Sequence, residues 1–306
     1  MTLRDDSRAR VPGPLGATLV GSRGRVPGPL GFQLVVMAPG AVVNAKKTLK
    51  MPPPAGNDTY YVHSFVSALV SKNGPAVDDV QQGALANCPL ASILAALAHT
   101  ESGRKRIIGM VSEHAALVET DLSGIASKLD SPPKNNKIIT NRYFTVSLGK
   151  AIEVSDVLYT DDADANWSPI YMRSPTDVLW ACMIEKAYAV QMGSYEELDR
   201  KGVTVNQFWK VLLGADPKII SINDKTDLST IKAAATAASK IPTIGASRDD
   251  QTIDQRSAGK VTNWHGYAVL GLRGSNIALY DPHRKKLELS LTEFRSYFQA
   301  IFYGNP

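Results

Sequence analysis

The stretch that decides the fold is Gln81-Gln82-Gly83-Ala84-Leu85-Ala86-Asn87-Cys88-Pro89-Leu90-Ala91-Ser92-Ile93-Leu94-Ala95-Ala96-Leu97. A glutamine stands six residues before a cysteine, across a loop that contains glycine. From Cys88 onward the run is apolar and alanine-rich, which predicts a helix. A thiol at a helix N-terminus is favoured as thiolate, because the free N–H groups and the helix dipole stabilise negative charge. Asn87 suits the N-cap, and Pro89 is tolerated in a first turn. Gln82 is placed to offer its side-chain amide to a developing oxyanion. The same residues read equally well as a buried cysteine at a helix start, so the choice falls to the rest of the chain.

The chain has 306 residues, enough for one large domain of two lobes or two small domains. A hydrophobic content of 44% and a charged content of 21% are those of a globular protein. No apolar run reaches the length of a membrane-spanning helix. Met1 to Arg10 is charged and no secretory leader follows, so the expected location is cytoplasmic, or exported by a route that leaves no such mark. Two cysteines, Cys88 and Cys182, exclude a disulfide framework and a four-thiolate metal site. The five histidines form no HExxH pair, so no metal cofactor is expected.

The net charge of +5 suggests nucleic acid until it is located. Residues 1–56 hold eight Lys/Arg against two acids, and the remainder holds 26 against 27. The basic excess thus belongs to the N-terminal segment, and no specific nucleic-acid site is expected. That segment also holds eight of the 18 prolines and eight of the 23 glycines. Within it Arg10-Val11-Pro12-Gly13-Pro14-Leu15-Gly16 recurs as Arg25-Val26-Pro27-Gly28-Pro29-Leu30-Gly31. Residues 1–56 therefore read as a flexible basic arm that ends at Met51-Pro52-Pro53-Pro54.

Beyond the arm, helical patterns cover Cys88 to His99, Lys105 to Leu117 and, in part, Leu122 to Lys128. Strand patterns follow at Ile138–Thr140, Tyr143–Val146, Ala151–Val154 and Pro169–Arg173. A helix begins near Asp177 and stops at Gly193, with Cys182 inside it as a small core residue. Asn206 to Leu213 is a helix, Lys218–Ile222 a strand, Leu228–Ser239 a helix and Ile241–Ala246 a strand. Residues 247–260 are polar and aperiodic. Three strands then come in quick succession, Gly266–Leu272, Ser275–Tyr280 and Lys286–Leu289, before a closing helix and a last strand at Ile301–Tyr303. The order is helices first and antiparallel sheet second, an α+β arrangement of two lobes.

A nucleophilic thiol needs a base, and the base needs an orienting partner. His265 is the best base, since it starts the alternating strand Gly266–Leu272 beside a loop. Asp281 ends the next strand, so a hairpin of the two brings His265 and Asp281 together. A carboxylate there would fix the imidazole tautomer. Trp264 and the 247–260 loop would border the cleft.

Three blocks resemble the calpain family of papain-like cysteine proteases. The family pattern Gln-Gly-x-Leu-Gly-Asp-Cys-Trp-Leu stands here as Gln82-Gly83-Ala84-Leu85-Ala86-Asn87-Cys88-Pro89-Leu90. A second block stands as Trp180, Ile184-Glu185-Lys186-Ala187-Tyr188-Ala189 and Gly193-Ser194-Tyr195-Glu196. The histidine block His-Ala-Tyr-Ser-Val stands as His265-Gly266-Tyr267-Ala268-Val269. The departures are Ala86-Asn87 for Gly-Asp, Pro89 for the tryptophan after the cysteine, and Asp281-Pro282-His283 for Asn-Pro-Trp. The lost indole is expected to leave the His265–Asp281 bond less shielded from water.

The resemblance implies a papain-like core over residues 57–306, with a helical lobe at about 75–215 and a β lobe at about 216–306. It implies a cysteine endopeptidase with Cys88 as nucleophile, His265 as base, Asp281 as orienting residue and Gln82 as oxyanion donor. The substrate would be a protein or peptide. In a toxin or effector, an inhibitor or immunity partner is also expected. Family cores bind calcium through their loops, but Asp161-Asp162-Ala163-Asp164 is not an EF-hand pattern, so calcium dependence is not claimed. No calcium-binding regulatory module is expected beyond the core. Two other readings stay open: a papain-like deamidase or acyltransferase, and a calpain-like binding module with weak catalysis.

Overall fold

A computed structural model describes residues 46–160, 168–200, 204–250, 252–283 and 285–306. Residues 1–45, with their repeat, and the acidic loop Asp161–Asp164 lie outside the described residues. Val43–Pro306 forms one compact unit. In order, its elements are β1 (Lys47–Lys50), β2 (Tyr61–Ser64), α1 (Cys88–His99), α2 (Glu101–Met110), β3 (Val111–Asp121), β4 (Lys137–Ser147), β5 (Ala151–Ser155) and β6 (Val157–Thr160). There follow α3 (Trp180–Met192), α4 (Tyr195–Arg200), α5 (Val205–Leu213), β7 (Lys218–Ser221), α6 (Leu228–Ala237), β8 (Thr243–Ser247) and α7 (Ile253–Arg256). The chain closes with β9 (Gly266–Arg273), β10 (Asn276–Asp281), β11 (Lys285–Ser290), α8 (Leu291–Tyr297) and β12 (Phe298–Tyr303). The class is α+β.

Three sheets are present among the described residues. One has four strands in the order β1-β3-β4-β5, one has six in the order β11-β10-β9-β8-β12-β7, and one pairs β2 with β6. In the six-stranded sheet every neighbouring pair is antiparallel. α1 is buried from Leu90 through Ala98, as a helix apolar on all sides must be. It packs against α2 and α5 and also against β8, β9 and β10, so its first residue, Cys88, meets the start of β9.

The first half carries more sheet than its sequence suggests. The helix expected over Lys105–Leu117 stops at Met110, and Val111 begins β3. β3 lies between β1 and β4; β1 pairs only with Val118–Asp121, and pairing of Val111–Ala115 with β4 outweighs the helical spacing there. Ile138–Thr140 and Tyr143–Val146 are a single strand, β4, opposite an irregularity in β3 between Ala115 and Val118. Pro169–Arg173 makes only isolated bridges. The helix expected at Asp177 starts instead at Trp180, because Asp177 adopts a positive φ of 58°. The 247–260 loop contains one short helix, α7.

Residues 46–56, read as the end of the arm, are tied into this body. β1 runs parallel to β3, from Lys47 opposite Val118 to Lys50 opposite Asp121, and Met51 is buried. The Tyr159 hydroxyl donates to Pro52 O at 2.8 Å. Tyr195 N–H donates to Pro53 O and Ala55 N–H to Tyr171 Oη, both at 2.8 Å.

The β9–β10 hairpin holds one irregularity that matters. Asn276 faces Arg273 and Ala278 faces Gly271, yet Leu279 faces Val269 and Tyr280 faces Ala268. One extra residue, Leu270, is thus accommodated in β9. Without it Asp281 would fall opposite Ala268 and share a face with Gly266, leaving His265 on the other side. With it Asp281 falls opposite Tyr267 and shares a face with His265, since side chains alternate with period two. Gly271, beside the extra residue, has a φ of +112°, which an L side chain rarely adopts. Gly271→Ala should therefore cost about 1–3 kcal/mol in urea unfolding. It should also slow alkylation of Cys88, the thiol that meets His265. Unchanged stability and unchanged labelling would remove the bulge from the account of the site.

Candidate active site

Cys88 is the first residue of α1 and is partly exposed, whereas Cys182 is buried inside α3. Burial pushes the Cys182 thiol up, and its Sγ donates to Met172 O at 3.1 Å, as suits a core residue. Cys88 instead interacts electrostatically with the His265 side chain.

His265 stands one residue before β9. Its N–H donates to Ser247 Oγ at 2.8 Å, its carbonyl accepts from Ser247 N–H at 2.9 Å, and Ser247 Oγ donates to Thr262 O at 2.7 Å. The end of β8 therefore fixes the His265 backbone from both sides. The ring Nε2 meets Asp281 Oδ1 at 2.9 Å. With Nε2 committed to Asp281, Nδ1 is the ring nitrogen left for Cys88. Asp281 Oδ1 also accepts from His283 N–H at 2.8 Å, the turn hydrogen bond that an Asp-Pro pair favours.

Burial lowers the His265 imidazole, but hydrogen bonds to Asp281 and Cys88, with their charges, outweigh it and hold the group up at about 9. Burial raises the Asp281 carboxyl, and the bonds from His265 and His283 N–H reverse that and hold it below the usual carboxylate range. The arrangement favours an ion pair with the proton on the imidazole.

The loop that delivers Cys88 is held from below. Asn87 occupies the N-cap position, but its side chain makes no cap bond. Its Nδ2 donates to Glu185 Oε1 at 2.7 Å, and Glu185 Oε2 accepts from Met172 N–H at 2.7 Å. Ala86 N–H donates to Asp199 Oδ1 at 2.6 Å. Glu185 of the second sequence block, on α3, and Asp199, beyond that block on α4, thus clamp the two residues before the cysteine. Neighbouring Lys186 is equally buried and donates to Ser155 O, Ser155 Oγ and Val157 O.

Gln82 is buried, and its Nε2 donates to Leu85 O at 2.7 Å, one of the two hydrogens it carries. Its backbone N–H donates to Pro282 O at 3.0 Å, which ties it to the residue after Asp281. Gly83 permits the turn between them and Cys88. A Cβ there would lie 1.7 Å from Tyr171 O and 2.2 Å from Ile170 O.

Sequence reading quoted Glu185 and Lys186 as motif letters without a role. Their signal was two adjacent opposite charges inside a helix otherwise apolar from Trp180 to Met192. Ser247 and the bulge at Leu270 carried no signal. Trp264 is 68% exposed beside His265 and has a positive φ of 51°, an uncommon state for a bulky residue.

Among the described residues, one group of three His, Cys, Asp or Glu side chains could share an ion: His265, Asp281 and His283. Two imidazoles and one carboxylate do not suit calcium, which takes six to eight oxygens. No calcium step enters the chemistry below.

Burial raises the Glu185 carboxyl to about 7, against hydrogen bonds from Met172 and Asn87 that favour the anion. The folded protein then holds this proton more tightly than the unfolded chain. Its contribution is full below the ordinary glutamate range and is lost as pH rises through about 7. Relative to Glu185→Gln, which cannot ionise, the wild type should lose unfolding free energy across that window and run parallel above it. Urea titrations at stepped pH read this directly, and parallel curves throughout would rule out Glu185 as a buried titrating acid.

The family model described as calpain family cysteine protease matches residues 63–291. No curated protein matches the chain significantly.

Proposed function

The chain belongs to the calpain family of cysteine proteases, and on that premise we propose that it is a two-lobed, papain-like endopeptidase acting through Cys88, His265 and Asp281. The observation that carries this reading is the 2.9 Å bond from His265 Nε2 to Asp281, with the ring's other nitrogen left for Cys88 at the start of α1. The Cys88 thiolate attacks the scissile carbonyl carbon. The developing oxyanion takes hydrogen bonds from the Gln82 side-chain amide and from Cys88 N–H. His265 then passes its Nδ1 proton to the leaving amine, and the C–N bond breaks to leave a thioester. Water, deprotonated by His265, attacks the thioester and returns the enzyme. Asp281 holds the ring and favours its charged form. Exposed, extended polypeptide segments are the substrate class, with Trp264 bordering the cleft.

Cys88→Ala should abolish both casein cleavage and covalent labelling by the epoxysuccinyl inhibitor E-64. Persistent cleavage by that variant would sink the proposal. The bonds from His265 Nε2 and His283 N–H both end on Asp281 Oδ1, so an amide oxygen can replace it. Asp281→Asn should therefore keep kcat/KM within about tenfold, while Asp281→Ala should lose about 100-fold or more. Equal losses in the two variants would deny Asp281 an orienting role.

A second reading, a calpain-like module with weak catalysis, is favoured by the engagement of the Gln82 amide with Leu85 O. Failure of E-64 to label folded protein would favour it. A deamidated product without chain scission would instead make a side-chain amide the group attacked, with ammonia leaving and water still the acceptor, and an adduct would make the acceptor an amine.

A further inference from the structure

We propose that His265, Asp281 and His283 form a binding site for a zinc-class divalent cation, through which such an ion switches off the nucleophile. One ligand atom from each of His265, Asp281 and His283 lies within 4.8 Å of the other two. The two nitrogens stand 2.9 Å and 3.3 Å from the same carboxylate oxygen. Two imidazoles and a carboxylate, with a fourth position for water, are a ligand set that zinc accepts and magnesium or calcium does not.

The site is reachable from one side. His265 and Asp281 are buried, but the His283 side chain is 48% exposed and leads to solvent. The two rings stack at 4.9 Å with only 10° between their planes, so their lone pairs share a direction rather than a point. Binding therefore needs the His283 ring to tilt, which a half-exposed side chain can do without moving the strand.

The consequence for the nucleophile follows from proton balance and rests on the functional reading above. The ion takes the Nε2 lone pair, and the proton that Nε2 had shared with Asp281 leaves to solvent. The ring keeps its other proton on Nδ1, facing Cys88. A ring so metallated has no free nitrogen with which to deprotonate water. It can surrender the Nδ1 proton to a leaving amine only by becoming imidazolate. Cys88 itself is not a ligand in this arrangement, which separates it from thiolate capture of zinc.

The test uses the full chain carrying Cys88→Ala, titrated with zinc and with cobalt by calorimetry and visible absorption. Saturable binding of one ion is expected, with cobalt absorption in the range of a four-coordinate nitrogen–oxygen site. His283→Ala placed in the same background should weaken binding at least tenfold. No saturable binding, or binding unchanged by His283→Ala, would overturn the proposal. So would an ion that binds the wild type but not the Cys88→Ala protein. Because no step of this measurement needs catalysis, a chain that binds zinc but cleaves nothing would refute only the peptidase reading. One that cleaves casein but binds no zinc would refute only this inference.

Discussion

Side-chain parity in one hairpin is the constraint on which the site depends. A β-strand offers its residues to two faces in strict alternation, so two residues on neighbouring strands meet only if the register lets them. The residues of β9 and β10 pair first in a register that would put His265 and Asp281 on opposite faces. The extra residue at Leu270 changes that register before the strands reach the site. Everything chemical at His265, including its raised pKa and the direction of Nδ1, follows from Asp281 being on its side.

The other half of the constellation is held by a different device. Cys88 comes from a helix whose first residue has no side-chain cap, and the loop before it is anchored to α3 by the buried Glu185 carboxyl and to α4 by the partly exposed Asp199. Glu185 is the costlier of the two anchors, because its carboxyl is fully enclosed and both its oxygens are used. Burying an acid is tolerable when each oxygen accepts a hydrogen bond. Here the donors are a side-chain amide next to Cys88 and a main-chain N–H on the segment that runs past Gly83. A single buried group therefore couples the loop, the helix and the strand-like segment at Ile170–Met172. The backbone bond from Gln82 to Pro282 and the Tyr280 hydroxyl on Val80 O then join that loop to the sheet.

Much of this was legible where local pattern and packing agree. The alanine-rich run after Cys88 could bury itself only as a helix. Gly193 and Gly214 end helices at positive φ, and Thr204 with Gln207 forms a capping box. The three closing strands alternate cleanly. The sequence misled where pairing decided the outcome. Val111–Leu117 spaces its apolar residues like a helix, yet β4 pairs with Val111 through Ala115 and draws the stretch into the sheet. Asn87 has the composition of a cap, yet a buried acid ninety-eight residues away offers its amide a stronger partner. The bulge was illegible for a related reason: Leu270 is an ordinary strand residue, and only the glycine after it hints that the register breaks. In the site, the types of Cys88, His265 and Asp281 were readable, but what fixes each in place was not.

The replacement of an Asn-Pro-Trp pattern by Asp281-Pro282-His283 is best understood as one change rather than two. An indole shields the hydrogen bond beneath it, and losing it ought to wet the His265–Asp281 pair. The pair is nonetheless dry, with side-chain exposures of 6% and 3%. The His283 ring lies parallel over His265 and occupies part of the place an indole would take. A carboxylate in that dry position needs more donors than an amide does, since it carries a full charge. The main-chain N–H of His283 supplies one, and its ring Nδ1 stands 3.3 Å from the same oxygen. Without a histidine at 283, Asp281 would keep the bond to His265 and the main-chain N–H of residue 283, and would lose the ring that stands 3.3 Å from its Oδ1. The histidine ring thus covers His265 and adds a contact to the carboxylate, and that same placement gathers the ring nitrogens of His265 and His283 around one oxygen of Asp281.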